Sequence, residues 1–359
     1  MKKIPGILNI SAALLTAMLF IMTTSYGESR SAGHDAVYTS NPAVAERVSV
    51  IPCGTPFGIK MLTDGVIVTD FGAVNGRFSQ QSPAEAAGIR RGDIIKSING
   101  VPVTDSVSVS EAVQEQPVCT IKVLRDGDEM TFTAKALESD TDGRYRLGMW
   151  TKDSVAGIGT MTYYDPAEEM FAGLVHGVSD SVSGVRMPLL SGEITAVTIT
   201  DIIRGESGSP GELCGAFISS VDIGTLTVNS DLGVFGKCGT APVLSDPVEI
   251  AHSSEVNTGK AFIYTTTGGM MPERYDIEIV SIDHSSSSPT RNMTIKITDS
   301  ELLARTGGIV QGMSGSPIIQ NGRLVGAVTH VLVNDAAMGY AVFAENMYAA
   351  SHTDTTLLS

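Results

Sequence analysis

The sequence predicts a mainly β protein, built as two folded units behind an apolar N-terminal segment. Its 38 glycines, few aromatics and many short Val, Ile and Thr runs between turn residues are the composition of strands and tight turns. At 359 residues the chain exceeds the usual size of one domain. From about residue 147 onward it shows short apolar runs and no long amphipathic helix. The formal charge of -15 argues against a nucleic-acid or anionic-lipid partner, since a phosphate-binding face needs clustered Lys and Arg.

At the N-terminus, Lys2-Lys3 precede a nearly unbroken apolar stretch from Ile4 to Met22, long enough for either a signal peptide or one membrane-spanning helix. Either way the chain is expected to be exported. No clear Ala-x-Ala cleavage site follows and the positive charges lie on the N-terminal side. The expectation for residues 1–26 is thus an uncleaved anchor with its N-terminus in the cytoplasm. Residues 27–47, rich in Gly, Ser, Asp, Asn and Pro, read as a tether.

The first folded unit is expected over residues 48–137. Pro56-Phe57-Gly58-Ile59 is an apolar-Gly loop, Gly65 to Thr69 a strand, and Ser82-Pro83-Ala84-Glu85-Ala86-Ala87-Gly88 a short helix ended by glycine. Arg91 to Val103 gives strand, turn and strand around Asn99-Gly100. A second helix follows from Asp105 to Gln116, and Arg125-Asp126-Gly127-Asp128 turns a hairpin. This run resembles a PDZ domain of the bacterial, protease-associated type. The resemblance implies that an extended peptide adds to a sheet edge, with the amides of Phe57, Gly58 and Ile59 receiving its terminal carboxylate. The plainer alternative is a spacer with an empty groove.

The second unit is expected over residues 147–351 as a β-barrel domain. Gly312-Met313-Ser314-Gly315-Ser316-Pro317 has the form of a nucleophile turn: glycines flank a serine, presenting its oxygen and aiming amides at a developing oxyanion. Pro317 ends any helix, and Ile318 to Val328 reads as two strands around Asn321-Gly322, so Ser314 precedes a hairpin as in chymotrypsin-like barrels. Of the six histidines, His34 falls in the tether and His352 in the tail. Among His176, His252, His284 and His330, His176 is best placed as the base, where an apolar run enters a glycine turn. Gly205-Glu206-Ser207-Gly208-Ser209-Pro210 repeats the serine spacing but lacks the hairpin behind it and reads as a surface turn. Asp299 sits where it caps a helix, with Thr298 and Glu301 as a capping box. Asp180, close to His176 in sequence, competes for the third place of a triad. Cys53, Cys119, Cys214 and Cys238 lack zinc spacing, and no metal or organic cofactor is needed. In an exported chain Cys53 with Cys119 and Cys214 with Cys238 form bridges, or all four stay free thiols.

With these segments in view, the chain resembles the stage IV sporulation protein B (SpoIVB) peptidases of endospore-forming bacteria. The likeness covers the anchor, the PDZ unit, residues 157–162, 175–180 and 210–213, and the stretch from Thr306 to Asp335. It implies a triad of His176, Asp299 and Ser314; the serine turn itself offers the Gly312 and Ser314 amides as the expected oxyanion hole. The likeness also implies cleavage of the chain itself and of the extracytoplasmic part of a membrane-bound regulator that restrains an intramembrane metalloprotease. Pro-sigma-K processing would follow, the enzyme acting between the forespore and mother-cell membranes. HtrA-type proteases share both modules but place PDZ after the protease. The rival expectations are an inactive PDZ adaptor and a broad-specificity, HtrA-like stress protease.

Overall fold

The computed structural model describes residues 47–352 except 78, 175, 181–183, 240–244 and 286–288. The expected anchor and nearly all of the tether lie outside the described residues. No described helix is long and apolar enough to cross a membrane.

β1 (Ser49–Pro52) is short and β2 (Pro56–Phe71) is long. In the first half of β2, Phe57, Ile59 and Met61 are buried while Lys60 and Leu62 are exposed, the period of two of a strand with one face on a core. At Gly65 the strand enters a second sheet. A side chain there would strike the Ile95 carbonyl oxygen at 2.7 Å, and the backbone φ of +98° suits glycine alone. α1 (Pro83–Ala86), β3 (Ile94–Ile98), α2 (Ser106–Glu115), β4 (Val118–Arg125) and β5 (Asp128–Lys135) follow. Ser82 caps α1, and Asp105 with Ser108 forms a capping box on α2. Asp126 and Gly127 both take positive φ, as a two-residue primed turn requires. Val66, Val68, Ile95 and Ile121 fill the core of this unit. Asp93, 1% exposed, is gripped by two nitrogens of Arg125 at 2.7 Å, a bidentate pair that satisfies the buried charge.

β6 (Met149–Asp165) then returns antiparallel along the whole of β2, from Met149 opposite Phe71 to Thr160 opposite Pro56. With β7 (Met170–Gly173), β8 (Leu189–Ile203), β9 (Glu212–Ser230) and β10 (Gly233–Lys237), the first half of β2 and the second half of β6 pair in a closed circuit. Phe57 meets Phe171 edge to face at its centre, ring centroids 5.8 Å apart. The second barrel is formed by β11 (Gly259–Thr265), β12 (Glu273–Ile282) and β13 (Met293–Ile297), then, after α3 (Ser300–Thr306), by β14 (Pro317–Gln320), β15 (Arg323–Leu332) and β16 (Asp335–Phe343). It closes in the order β11-β12-β13-β16-β15-β14. α4 (Ala344–Ser351) covers one end, burying Ala344 and Met347. The Asn321-Gly322 turn joins β14 to β15 as expected.

The domain boundary differs from the expected one. Residues 49–62 belong to the first barrel, and the PDZ sheet takes its edge strand from the start of β6, so the PDZ unit is inserted between two barrel strands. Alternating burial marks residues 56–62 as strand, but periodicity does not name the partner of a strand.

Candidate active site

The turn of residues 312–316 lies at the seam of the two barrels, held by β6 on one side and β15 on the other. Thr160 donates its amide to the Ser314 carbonyl at 3.2 Å and its hydroxyl to the Gly312 carbonyl at 2.6 Å. Thr162 donates its hydroxyl to the Gly315 carbonyl at 2.8 Å. The amides of Met313, Gly315 and Ser316 bond to the carbonyls of Val310, Val328 and Met313. Gly315 admits no side chain: a Cβ there would lie 2.0 Å from the Thr160 carbonyl oxygen and 2.8 Å from the Leu174 amide. Every carbonyl from Gly312 to Gly315 except that of Met313 is thus tied to β6, and Met313's own accepts from Ser316. Two donors remain. The amides of Gly312 and Ser314 have no acceptor among the described residues, and buried or half-buried amides left open in this way are available to an incoming oxyanion.

His176 arrives from the first barrel. β7 ends at Gly173, the Leu174 amide bonds the Thr160 carbonyl at 3.1 Å, and the chain turns so that the His176 ring stands beside this seam. Its Nδ1 meets the carbonyl of Gly177 at 3.2 Å. The Nδ1-H tautomer that donates there leaves Nε2 with the lone pair of a base. Burial holds its pKa below the ordinary histidine value, opposed by the Gly177 carbonyl. The loop after it is pinned by Asn229, which accepts from the Val178 amide at 2.7 Å and donates to the carbonyls of Val178 and Met187. Ser314 Oγ donates to the Thr329 carbonyl at 2.6 Å. The next residue, His330, faces His176 with ring centroids 5.8 Å apart. The structure thus brings His176, Ser314 and the Gly312 amide to one seam.

It does not bring Asp299 there. Asp299 is the N-cap of α3: one carboxylate oxygen accepts from the amides of Glu301 and Leu302 at 2.9 and 3.0 Å, the other from the Asp276 amide at 3.3 Å. An oxygen pair spent on three backbone donors orients a helix, not an imidazole. Asp180 is 1% exposed and lies 3.5 Å from Lys152 Nζ. Ser207 is exposed and donates to the Asn334 carbonyl at 3.0 Å, in a tight turn packed on residues 333–334. His252 and His352 pair with Glu345 and Glu168, and His284 stacks on Phe343. None of the four cysteines is in a disulfide. Cys53 and Cys119 sit in different cores, so the first expected bridge has no geometry.

The peptide-binding assignment is also corrected. Phe57, Gly58 and Ile59 lie in β2 between two partner strands, opposite Gly159, Ile158 and Gly157 on one side and Ala196, Thr195 and Ile194 on the other. Their amides serve the barrel, and Phe57 and Ile59 are core residues. The open cleft of this unit lies elsewhere. A cleft of about 410 Å³ runs between α2, at Val109 and Val113, and residues 145–151. Here β6 pairs with β2 on one side and presents a free edge on the other, among the described residues. Leu147 and Gly148 spend their carbonyls on the amides of Ala84 and Gly72, while their own amides find no acceptor among the described residues. Trp150, 68% exposed, flanks the groove. The signal in the sequence is Leu147-Gly148-Met149, a second apolar-Gly-apolar step directly before a strand. Thr160, Thr329 and His330 carry no motif that singles them out.

A two-barrel frame with a serine turn and an imidazole at its seam, joined to a sheet-and-helix unit of PDZ form, places this protein among the serine peptidases that carry a PDZ unit. Residues 143–348 match the SpoIVB peptidase S55 family, more than half of the chain, and the chain belongs to that family. Residues 79–125 match the PDZ domain. Serine protease HTRA3 of Rattus norvegicus and of Mus musculus is 38% identical over 69 residues, 18% of this chain and 15% of each relative. Serine protease HTRA1 of Xenopus tropicalis is 42% identical over 60 residues, 16% and 13% of the two chains. The chain thus spans a small fraction of these relatives' length. Among solved structures, the inactive form of the Rv3671c protease of M. tuberculosis H37Rv is 17% identical with a TM-score of 0.31, covering 54% of this chain and 81% of that one. The HtrA-type protease AlgW with decapeptide is 12% identical with a TM-score of 0.31, covering 60% and 57%.

Proposed function

We propose that this chain is an exported serine endopeptidase with a chymotrypsin-like arrangement, in which Ser314 is the nucleophile and His176 the base. The observation that carries this is the pair of open amides at Gly312 and Ser314, in a turn whose other backbone amides and carbonyls are committed. Ser314 Oγ rotates from the Thr329 carbonyl toward Nε2 of His176 and attacks the scissile carbonyl. His176 takes the proton and delivers it to the leaving amine, and the two amides receive the oxyanion. No metal or organic cofactor takes part. The groove between α2 and β6 adds an extended substrate segment as a strand and receives a chain end at the amides of Leu147 and Gly148.

Membership of the family supports a narrower reading: action in sporulation, outside the forespore's inner membrane and tethered by residues 1–26. Its substrates there are the chain itself and the extracytoplasmic part of a membrane regulator, whose cleavage frees an intramembrane metalloprotease and starts pro-sigma-K processing. The test is self-cleavage and covalent labelling by a fluorophosphonate probe in purified protein. Ser314→Ala and His176→Ala abolish both while the melting temperature holds, and Ser207→Ala is silent. Labelling that persists in Ser314→Ala sinks the assignment, and a wild-type protein that neither labels nor cleaves is the inactive adaptor instead.

A further inference from the structure

The second serine turn of the sequence, Gly205-Glu206-Ser207-Gly208-Ser209-Pro210, has no task in the reaction. It forms the tip that joins β8 to β9 of the first barrel, and the tip is strapped across the second. The Gly205 amide donates to the Thr306 carbonyl at 2.8 Å, the Gly208 amide to the Val333 carbonyl at 2.8 Å, and Ser207 Oγ to the Asn334 carbonyl. At the base of the tip, Gly211 and Leu213 grip Gln311 from both sides. The Gln311 amide donates to the Gly211 carbonyl at 2.8 Å, and the Leu213 amide donates to the Gln311 carbonyl at 2.9 Å, the pattern of a parallel bridge between Glu212 and Gln311. Position 211 admits only glycine, since a Cβ there would lie 2.2 Å from the Ile203 carbonyl oxygen and 2.4 Å from the Gly205 nitrogen. The Leu213 side chain is buried and packs against Gly312, where an added Cβ would lie 3.1 Å from that of Leu213.

The Gln311 carbonyl and the Gly312 amide belong to one peptide unit. That unit is planar and trans, so its C=O and N-H point in opposite directions and do not turn independently. Fixing the carbonyl on Leu213 therefore aims the Gly312 amide, one of the two open donors of the serine turn. We infer that Leu213 is a positioning residue for the peptidase reaction: its amide, held by the strapped tip and by its own buried side chain, sets the direction of the Gly312 donor before an oxyanion forms. Thr160 holds the other side of Gly312 through its carbonyl, so both orienting bonds reach the second barrel's turn from the first barrel. A donor aimed in advance needs no reorganisation as charge develops, which is the condition under which such a bond accelerates the reaction. Leu213 touches no reacting atom, and the turn from Gly205 to Pro210 anchors the strap that carries it.

The inference rests on Ser314 as nucleophile and His176 as base, and the experiment separates the two. In the full chain, replacing Leu213 by its α-hydroxy analogue, leucic acid, keeps the side chain and turns the 212–213 amide into an ester with no N-H to donate. An alkyl fluorophosphonate is the probe: Ser314 Oγ bonds to phosphorus, fluoride leaves, the serine proton passes to His176, and the phosphoryl oxygen enters the pair of open amides. The maximal labelling rate should fall about 10- to 100-fold, short of the roughly 100- to 1,000-fold expected for a donor deleted outright, while the half-saturating probe concentration stays unchanged. Leucine inserted at 213 by the same route should restore the rate. Gly211→Ala, which pushes the strap off Gln311, should show the same split. A purely structural role would instead lower the fraction of chain that labels and leave the rate of that fraction intact. Labelling that depends on Ser314 and His176 but runs at the wild-type rate in the ester and in Gly211→Ala overturns the inference alone. Labelling that survives Ser314→Ala overturns the nucleophile, and the inference with it. If Gly211→Ala does not fold, the ester decides by the same outcomes.

Discussion

The carboxylate of Asp299 illustrates how one residue type serves two chemistries that sequence does not separate. Because one oxygen holds the amides of Glu301 and Leu302 and the other the exposed Asp276 amide at the longer distance of 3.3 Å, Asp299→Asn keeps the helix cap and gives up only the bond to Asp276, so labelling rate should stay near wild type and the melting temperature should fall little. Asp299→Ala should cost about 0.5–2 kcal/mol of stability without a specific loss of activity. A collapse of rate in the Asn variant at unchanged stability would restore Asp299 to the triad. The two histidines set the pH dependence. Both have pKa values depressed by burial, so both fold neutral, and their stabilisation is present above the unfolded value near 6.5. It is lost as pH falls toward the folded values, down to about 4 for His330. Chemical denaturation followed between pH 7 and 4 should show stability falling with acid, and His330→Phe should flatten part of that slope. The acid limb of kcat/KM should lie below the ordinary histidine range, since burial disfavours the protonated base.

At the scale of elements, β6 does two jobs along one strand. Its first residues edge the PDZ groove and its last hold the serine turn, with Thr160 and Thr162 supplying three of the bonds that shape it. Thr160→Val keeps the shape of the side chain and removes the bond to the Gly312 carbonyl. Stability should fall by about 1 kcal/mol, and labelling of Ser314 should fall further than stability alone explains, because the Gly312 amide swings out of line. Gly315→Ala is harsher. The added methyl meets the Thr160 carbonyl at 2.0 Å with the backbone at φ +100°, so the turn is forced apart. A loss beyond about 2 kcal/mol is expected, measured by urea denaturation, together with loss of labelling.

For the whole molecule, the inserted PDZ unit changes what a deletion means. Removing residues 54–137 takes out the barrel strand that carries Phe57, Ile59 and Met61, and the product should not fold. Leu62 and Ser154 are partners in register, so replacing residues 64–152 by a short hairpin turn leaves both barrel strands intact. That protein should fold and label at Ser314 yet lose affinity for peptides with a free carboxyl end, read by fluorescence polarisation. Insolubility of the short-turn version, beside a folded 54–137 deletion, would refute the shared-strand architecture. Phe57→Ala separates the two assignments of residues 57–59: it should cost about 3–5 kcal/mol as a core cavity, with peptide affinity unchanged in whatever fraction folds.

By itself the sequence determined the mainly β character, the PDZ helices and hairpins, the serine turn and the best-placed histidine. Each rests on a local signal: alternation, a cap, a primed turn, a glycine flanking a serine. Tertiary structure decided which strands pair, and therefore that residues 56–62 wall a barrel while residues 147–152 edge the groove. Both segments carry the same apolar-Gly-apolar step, and the choice between them lies in long-range register. It also decided that Asp299 caps a helix, that the Thr160 hydroxyl grips the serine turn, and that His330 faces His176. Residues brought together from positions 160, 176, 314 and 330 share no spacing, because two closed barrels meet at their seam and only closure fixes which side chains line it.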